Sequence, residues 1–270
     1  MASSSVTVTP ATHSLTWDFA ALTDPGRVRA NNEDTIAFDA PLGLVLLADG
    51  MGGYNGGEVA SGMAIALLQA SFGRWLAHAG PAAHARAVRR ALQAGTDEAN
   101  AAILEAGVAN LQLQGMGTTL VLAAFGPRRA IVGHIGDSRC YRLRNGKLKL
   151  LTRDHSLMQE QLDAGVITPE QASQSPHRNL VTRALGIERH VELEMHEHSV
   201  EAGDLFLLCS DGLSEMVPDA QLLTLLLQND GLPEKATLLV ATANDNGGRD
   251  NISVVLARAS GAGEATETPG

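Results

Sequence analysis

The chain has 270 residues, of which 44% are hydrophobic and 19% charged, an ordinary balance for a folded protein and too apolar for a disordered one. Its 30 acidic and 20 basic side chains give a formal net charge of −10. That charge argues against a dedicated nucleic-acid or anionic-membrane binder, because both of those surfaces are negatively charged. No segment approaches the roughly 18–20 consecutive apolar residues that a membrane helix requires.

The N-terminal and cysteine patterns indicate a cytoplasmic protein. Residues 1–13 are rich in Ser and Thr and lack the basic start and apolar core of a secretory signal, so a flexible leader is expected there. The two cysteines, Cys140 and Cys209, form no C-x-x-C pair. Buried, reduced thiols are therefore expected rather than a zinc or redox motif.

The first half of the chain predicts strands followed by two helices. Alternating or continuous apolar residues predict strands over residues 15–21, 35–39 and 44–48. The last of these is apolar at every position, which is typical of a strand buried on both faces. Apolar residues at three- and four-residue spacing then predict a helix after Gly57 and a second one over residues 82–109, with Gly95 as a candidate interruption.

The second half returns to strands. Residues 118–125 and 130–135 read as strands, and Asn145-Gly146 predicts a hairpin that joins strands 139–144 and 147–151. The polar segment 153–185 contains a capping box at Thr168, followed by Pro169 and Gln171, and fits either a mobile flap or a plain surface insertion. Strands over residues 191–195, 205–209 and 252–257 and helices over 218–228 and 233–244 complete the pattern, and residues 259–270 are expected to be a disordered tail.

Strands joined by hairpins, with helices in separate pairs, predict an α+β fold: antiparallel sheets layered as a sandwich with helices packed outside. No linker composition separates two parts of the chain, so residues 14–258 are expected to form a single domain.

Acidic residues stand at the ends of several predicted strands. Asp49, Asp137 and Asp211 each follow an apolar run, whereas Glu33-Asp34 and Asp250 stand just before strands. In antiparallel sheets the end of one strand lies beside the start of its neighbour, so these acids are expected to converge on one edge of the sandwich. Asp49-Gly50 alone fits a hairpin turn equally well.

Such a group of oxygen ligands favours Mg²⁺ or Mn²⁺ over zinc, and several acids can hold two cations suited to phosphoryl chemistry. Arg29 stands close before Glu33 and carries a guanidinium fork that matches two phosphate oxygens, although a lone arginine is more often a surface residue. The glycine-rich stretches 50–53 and 115–119 lack the lysine and the spacing of nucleotide-binding loops, and no G-x-S-x-G hydrolase motif occurs.

The order of these motifs resembles the metal-dependent protein phosphatases of the 2C type, in their bacterial Ser/Thr branch. The resemblance covers about residues 15–257 and is specific because the motifs occur as an ordered set. In chain order the matching residues are Arg29, Asn32-Glu33-Asp34, Asp49-Gly50-Met51-Gly52-Gly53, Gly117-Thr118-Thr119, Gly136-Asp137-Ser138-Arg139, Ser210-Asp211-Gly212 and Asp250-Asn251.

The resemblance implies a central β-sandwich flanked by α-helices on both sides, with a two-metal centre at one end. By this resemblance Asp49 would bridge the two Mn²⁺ or Mg²⁺ ions. Glu33 and the carbonyl of Gly50 would complete one metal, and Asp211 and Asp250 would hold the other.

The resemblance also assigns the remaining residues. Asp34 would act through an ordered water, Asp137 together with Asp211 would hold a third metal, and Arg29 would clamp the phosphate. A metal-bridging hydroxide would then attack phosphorus in line, without a covalent enzyme intermediate. Eukaryotic members carry a histidine where Met51 stands, so the group that protonates the leaving alkoxide is left open.

The function implied is a protein phosphatase for phosphoserine and phosphothreonine, acting as a monomer on phosphorylated proteins that include a cognate Ser/Thr kinase and its substrates. The alternative from another class is a catalytically silent relative that binds phosphoproteins as a scaffold. Silent relatives usually lose metal acids, and all the matching acids are present here. A phosphotransferase with an aspartyl intermediate is less well supported, because these acids are placed as ligands.

Overall fold

The computed structural model describes residues 15–53, 55–81, 83–172 and 180–261, except for the side chain of residue 169. The predicted leader and residues 262–270 of the predicted tail lie outside these residues. Within them, no helix combines the length and the apolar composition needed to cross a bilayer.

Two antiparallel sheets form the centre of the fold. In chain order the strands are β1 (Thr16–Asp24), β2 (Asp34–Asp39), β3 (Leu44–Met51), β4 (Gly117–Thr118), β5 (Leu120–Phe125), β6 (Arg129–Ile135), β7 (Arg139–Arg144), β8 (Lys147–Leu150), β9 (Glu194–Ser199), β10 (Leu205–Cys209) and β11 (Ile252–Ser260). The first sheet has the order β1-β11-β10-β7-β8, and the second has the order β2-β3-β5-β6-β9, with β4 added to β3.

The α-helices of the described residues are α1 (Gly56–Ala79), α2 (Ala85–Ala109), α3 (Leu157–Asp163), α4 (Pro169–Ala172), α5 (Asp211–Ser214), α6 (Asp219–Leu226) and α7 (Leu232–Asp245). Five of them cover the outer faces of the two sheets. Helices α1 and α2 pack on the second sheet, while α5, α6 and α7 pack on the first. The result is the four-layer α+β sandwich that the sequence predicts.

Strand β3 shows how the apolar pattern builds these layers. Val45 and Leu47 point between the two sheets, whereas Leu44, Leu46 and Ala48 point toward the helices. Each face of the strand is therefore buried, which explains its unbroken apolar run. The strand continues from this buried stretch to Asp49, which lies at the end of the sandwich.

Two local predictions are confirmed in detail. Asn145 and Gly146 both have positive φ, +49° and +72°, as the tight hairpin between β7 and β8 requires. At the start of α4, the Gln171 backbone N–H donates to Thr168 Oγ1 at 3.3 Å, and the Thr168 backbone N–H donates to Gln171 Oε1 at 2.9 Å. These reciprocal bonds are the predicted capping box.

Other boundaries differ from the prediction because long-range packing overrides local preference. Helix α2 continues through Gly95, where an added Cβ would lie 3.2 Å from Leu68 Cδ2, so this glycine serves close packing of α1 against α2. Strand β9 begins at Glu194 rather than near residue 191. Strand β11 runs to Ser260, two residues beyond the predicted domain end, because Ser260 pairs with Thr16 of β1.

Candidate active site

The structure brings the predicted acids together at one end of the sandwich. Strands β2 and β3 pair so that Asp34 lies directly opposite Asp49. Asp137 follows β6, Asp211 is the first residue of α5 and stands two residues after the end of β10, and Asp250 stands two residues before β11. The charges of the other four all act on Asp49. Their assignment as metal ligands stays a prediction.

The predicted alternative of an Asp49-Gly50 hairpin turn is wrong. Strand β3 continues through both residues to Met51, because Asp49 pairs with β2 and Gly50 pairs with Thr118 of β4. Pairing on both sides fixes the backbone in extended form, so Asp49 is held by the sheet rather than by a flexible loop.

Burial and mutual repulsion raise the pKa values of these carboxyl groups. Burial, and then the charges of Asp34 and Asp211, raises the pKa of Asp49 well above its usual value. The pKa of Asp34 rises to about 6, mainly through burial, although the Ser210 hydroxyl opposes the rise by donating to Asp34 Oδ2 at 2.8 Å. Burial and the charge of Asp154 raise the pKa of Asp137 to about 7. The cluster therefore resists holding all its negative charges without a cation.

The donor set fits hard divalent cations. Asp34 Oδ1 and Asp211 Oδ1 are buried, and neither has a hydrogen-bond partner among the described residues. Buried polar atoms are normally satisfied, so free carboxylate oxygens inside a cluster of like charge are the ligand atoms expected of a cation site. Carboxylate and carbonyl oxygens are the ligands that Mg²⁺ and Mn²⁺ prefer.

Glu33 reaches the cluster because glycine backbone leaves room for it. The Gly50 N–H donates to the Glu33 carbonyl at 3.1 Å. A Cβ on Gly57, in the first turn of α1, would lie 2.7 Å from Glu33 Cδ, and a Cβ on Gly50 would lie 2.1 Å from the Gly57 carbonyl oxygen. Both positions thus require glycine. Burial raises the pKa of Glu33, and Arg29 opposes that rise.

Two threonines hold the backbone of Asp49. Its N–H donates to Thr119 Oγ1 at 3.1 Å, and Thr118 Oγ1 donates to its carbonyl at 2.9 Å. The Thr119 hydroxyl also lies 2.8 Å from Ser138 Oγ, next to Asp137. In the sequence, residues 115–119 do not fit a nucleotide-binding loop, and Gly117-Thr118-Thr119 match the family without an assigned role. In the structure, Thr118 and Thr119 join the Asp49 strand to the Asp137 loop.

A serine and an asparagine join the acids of the two sheets. Besides its bond to Asp34, Ser210 Oγ accepts from the Ser253 N–H at 3.0 Å. The Asn251 side chain accepts from the Glu33 N–H at 2.8 Å and donates to the Asn31 carbonyl at 2.8 Å. The segment before β2 is thereby tied to the segment before β11.

Arg29 is at the rim of the cluster, but its partner is an acid. Its Nη2 donates to Asp250 Oδ2 at 2.6 Å, and its side chain is 53% exposed. This contact raises the pKa of Arg29 further, so the guanidinium stays charged. The predicted phosphate clamp is therefore paired with a predicted metal ligand.

Next to the Asp137 loop, a cavity of about 250 Å³ opens between the acids and the polar segment. Asp211, Glu215 and Arg139 line one side, and Met158 of α3 and Ala172 of α4 line the other. The described part of segment 153–185 that carries Met158 and Ala172 therefore adjoins the acids, and its role as a flap stays a prediction. Arg139, from the same motif as Asp137, forms a bidentate pair with Asp154, with Nη2 to Oδ2 at 2.7 Å and Nε to Oδ1 at 3.0 Å.

A buried polar group that no sequence motif indicates lies behind Asp137. His134 and His155 are 1% and 6% exposed and stack with ring centroids 4.6 Å apart. Ligand atoms of these histidines and of Glu194 lie within 4.8 Å of one another. His134 and His155 are 21 positions apart in the chain, and Glu194 is 39 positions beyond His155. No spacing motif relates the three residues, and the sequence Asp154-His155-Ser156 shortly after β8 is the one local signal near them.

The comparisons with known proteins agree with this geometry. The model of the family "Protein phosphatase 2C" matches residues 27–256. The chain is 39% identical over 237 residues to the "Serine/threonine phosphatase stp" of Listeria innocua, covering 87% of this chain and 92% of that protein.

Solved structures give the same result. The serine/threonine phosphatase PstP/Ppp of Mycobacterium tuberculosis is 42% identical, with a TM-score of 0.79 over 90% of this chain and 98% of that one. A structure of the PstP catalytic domain in complex with two manganese ions is 40% identical, with a TM-score of 0.79 over 92% of this chain and all of that one. The chain belongs to the protein phosphatase 2C family.

Proposed function

We propose that this chain is a metal-dependent protein phosphatase that hydrolyses phosphoserine and phosphothreonine, with Mn²⁺ or Mg²⁺ as its cofactor. One observation carries the proposal: carboxylates from both sheets converge at one end of the sandwich, and two of their buried oxygens lack a partner among the described residues. The Ser/Thr phosphatases to which the chain is similar, and the manganese in one of them, support it.

The residues that would hold the two cations are those of the cluster. Asp49 would bridge them, Glu33 and the Gly50 carbonyl would complete one, and Asp211 and Asp250 would complete the other. When bound, divalent cations lower the pKa of water to supply a nucleophile near neutral pH and offset charge on phosphoryl oxygens.

The remaining assignments concern binding and proton transfer. Arg29 would leave Asp250 to the cation and grip phosphate oxygens with its exposed guanidinium. Asp34 would orient a water through its free Oδ1. Asp137 together with Asp211 would hold a third cation. Met51 has no proton to donate, so the leaving alkoxide takes its proton from water or from another group of the site.

The proposal is tested by hydrolysis of an aryl phosphate and a phosphothreonine peptide, each with Mn²⁺ and with excess chelator. We expect turnover only with the cation and none in Asp49→Asn, whose circular dichroism stays that of the wild type. Asp18→Asn, an exposed carboxylate of β1, is the matched control and keeps full activity. Turnover that survives complete metal removal would show that the two-metal assignment is wrong.

The same assay separates the enzyme from a silent scaffold, which would bind the phosphopeptide without releasing phosphate. We propose that the substrates are phosphorylated proteins, including a cognate Ser/Thr kinase and its targets, and that the chain acts as a monomer. We also propose a cytoplasmic location, which the two free, buried cysteines support, because unpaired thiols persist in a reducing compartment.

A further inference from the structure

His155 uses every polar atom it has. Its backbone N–H donates to the Gly136 carbonyl at 2.9 Å, and its backbone carbonyl accepts from the Thr182 N–H at 2.8 Å. Its ring nitrogen Nδ1 accepts from the Gly136 N–H at 3.2 Å, and Nε2 lies 3.1 Å from Glu194 Oε2. A residue bonded at four points to three separate segments fixes their relative positions.

These bonds define the tautomer of the ring. Because the Gly136 N–H points at Nδ1, the lone pair is at Nδ1 and the proton is at Nε2, where the Glu194 carboxylate accepts it. Neither nitrogen of His155 then has a free lone pair for a metal, although His134 and Glu194 are close enough to suggest one. Burial lowers the pKa of His155, which favours this neutral form.

On one side, His155 grips the loop that carries Asp137. Gly136 directly precedes Asp137 and has φ of +99°, a conformation that glycine favours. An added Cβ at Gly136 would lie 2.7 Å from Thr119 Cγ2, so this backbone is pressed between His155 and Thr119. Both contacts restrict where the Asp137 carboxylate points.

On the other side, His155 closes the base of the polar segment. Besides the bond from Thr182, the Leu157 N–H donates to the Leu180 carbonyl at 2.9 Å, and Ser156 pairs with Val181 as an isolated antiparallel bridge. The chain that leaves the base at residue 156 thus returns to it at 180–182.

We propose that His155 is a positioning residue that holds the Gly136 backbone so that Asp137 faces the other carboxylates. It also joins this loop to the base of the polar segment, which residues 155–157 and 180–182 form. The inference rests on the proposed function, since the cation held with Asp137 is what the positioning serves. Glu194, which also lies 3.0 Å from His196, keeps the His155 ring in its tautomer and orientation.

Two amide substitutions separate the two sides of the ring. The side-chain oxygen of His155→Asn can take the place of Nδ1 and accept from Gly136, whereas the amide nitrogen of His155→Gln can take the place of Nε2 and donate to Glu194. We expect His155→Gln to weaken the Mn²⁺ binding step that uses Asp137 by roughly 10–100-fold, as loss of such supporting bonds does elsewhere. His155→Asn should stay within about threefold of the wild type, by the same reasoning.

The readouts are Mn²⁺ titration by calorimetry, hydrogen exchange at the Gly136 amide, and KM against kcat with an aryl phosphate. His155→Gln should speed Gly136 exchange, and His155→Asn should not. In an Asp137→Asn background, His155→Gln should have no further effect on Mn²⁺ binding, because both changes act through one carboxylate. His196→Gln, which also removes a partner of Glu194 but does not reach Gly136, is the control.

Equal losses of Mn²⁺ binding in both His155 variants would mean that the ring only fills space. Normal Mn²⁺ binding in His155→Gln would mean that the bond from Gly136 to His155 does not position Asp137. Either result overturns the proposal. If His155→Gln does not fold, His155→Asn decides: retained Mn²⁺ binding with slow Gly136 exchange supports the role, and loss of either contradicts it. Failure of the proposed function would differ, because the wild type itself would then lack metal-dependent turnover.

Discussion

Replacing Asp137 with asparagine should stabilise the metal-free protein while it damages the metal site. Asp137 is 8% exposed, and burial with the nearby charge of Asp154 raises its pKa from 3.8 to about 7. Asparagine keeps nearly the same shape without the charge. The substitution therefore separates the electrostatic cost of the site from its packing.

Proton linkage determines how the contribution of Asp137 to the free energy of unfolding changes with pH. With the folded pKa above the unfolded one, the folded state binds more protons between pH 3.8 and about pH 7. The contribution of Asp137 to the free energy of unfolding is therefore fully present below pH 3.8 and is lost as pH rises through about 7. At about 1.4 kcal/mol for each pH unit, the loss is up to about 4 kcal/mol.

The assay is thermal unfolding of chelator-treated wild type and Asp137→Asn between pH 5 and pH 8. Each kcal/mol moves the Tm of a chain of this size by roughly 2–4 °C, so about 4 kcal/mol should raise the Tm of the variant above that of the wild type by about 8–16 °C at pH 8, and by much less at pH 5. The difference between the proteins is the informative quantity. Lowered pKa values of His134 and His155 give both proteins an opposing slope, because their neutral folded forms lose stability as pH falls.

Added Mn²⁺ should reverse the order. A cation bound to the folded state stabilises it in proportion to the logarithm of its concentration over its Kd, and the wild type should gain more than the variant. A metal-free Asp137→Asn that is less stable than the wild type at pH 8 would contradict this prediction, since it would mean that the carboxylate is not held at an electrostatic cost.

Three further substitutions test separate parts of the molecule. Asp211→Asn should reduce kcat/KM by roughly 100-fold or more, since it replaces a predicted ligand, with unchanged circular dichroism; near wild-type turnover would show that the residue is no ligand. Arg29→Ala should lower kcat/KM about 10–100-fold through loss of a charged hydrogen bond, mainly in KM, and unchanged constants would count against the clamp. Lys235→Met should lower the free energy of unfolding, measured in urea, by about 2–3 kcal/mol. The reason is that the buried Lys235 amine donates to the Leu226 carbonyl at 2.9 Å and to the Gln228 carbonyl. A gain in stability would mean that the desolvation cost of the buried amine exceeds the contribution of these hydrogen bonds.

Features encoded locally could be predicted from the sequence. The Asn145-Gly146 hairpin and the capping box at Thr168 depend on neighbouring residues only, and both occur as expected. The convergence of the acids was also accessible, because each stands at a strand end and antiparallel pairing brings such ends together.

What the sequence could not supply is the partner of each polar side chain. Arg29 and Asp250 are 221 residues apart in the chain, and His155 and Glu194 are 39 apart. No local pattern relates such pairs, since their contacts exist only once both sheets are in place. The same applies to Asp49-Gly50, where pairing to β2 and β4 overrides the strong turn preference of the dipeptide.

The glycines of residues 50–57 include positions that allow close packing of the backbone rather than flexibility. Their composition suggests flexibility, yet a Cβ on Gly50 would lie 2.6 Å from the Glu33 carbonyl oxygen as well as 2.1 Å from that of Gly57. Three backbone segments therefore meet where a side chain cannot fit. This crowding brings the Glu33 carboxylate beside the first turn of α1 and leaves the Gly50 carbonyl at the end of the same strand that carries Asp49. Close packing of backbone, rather than looseness, is what lets carboxylates from separate segments share one site.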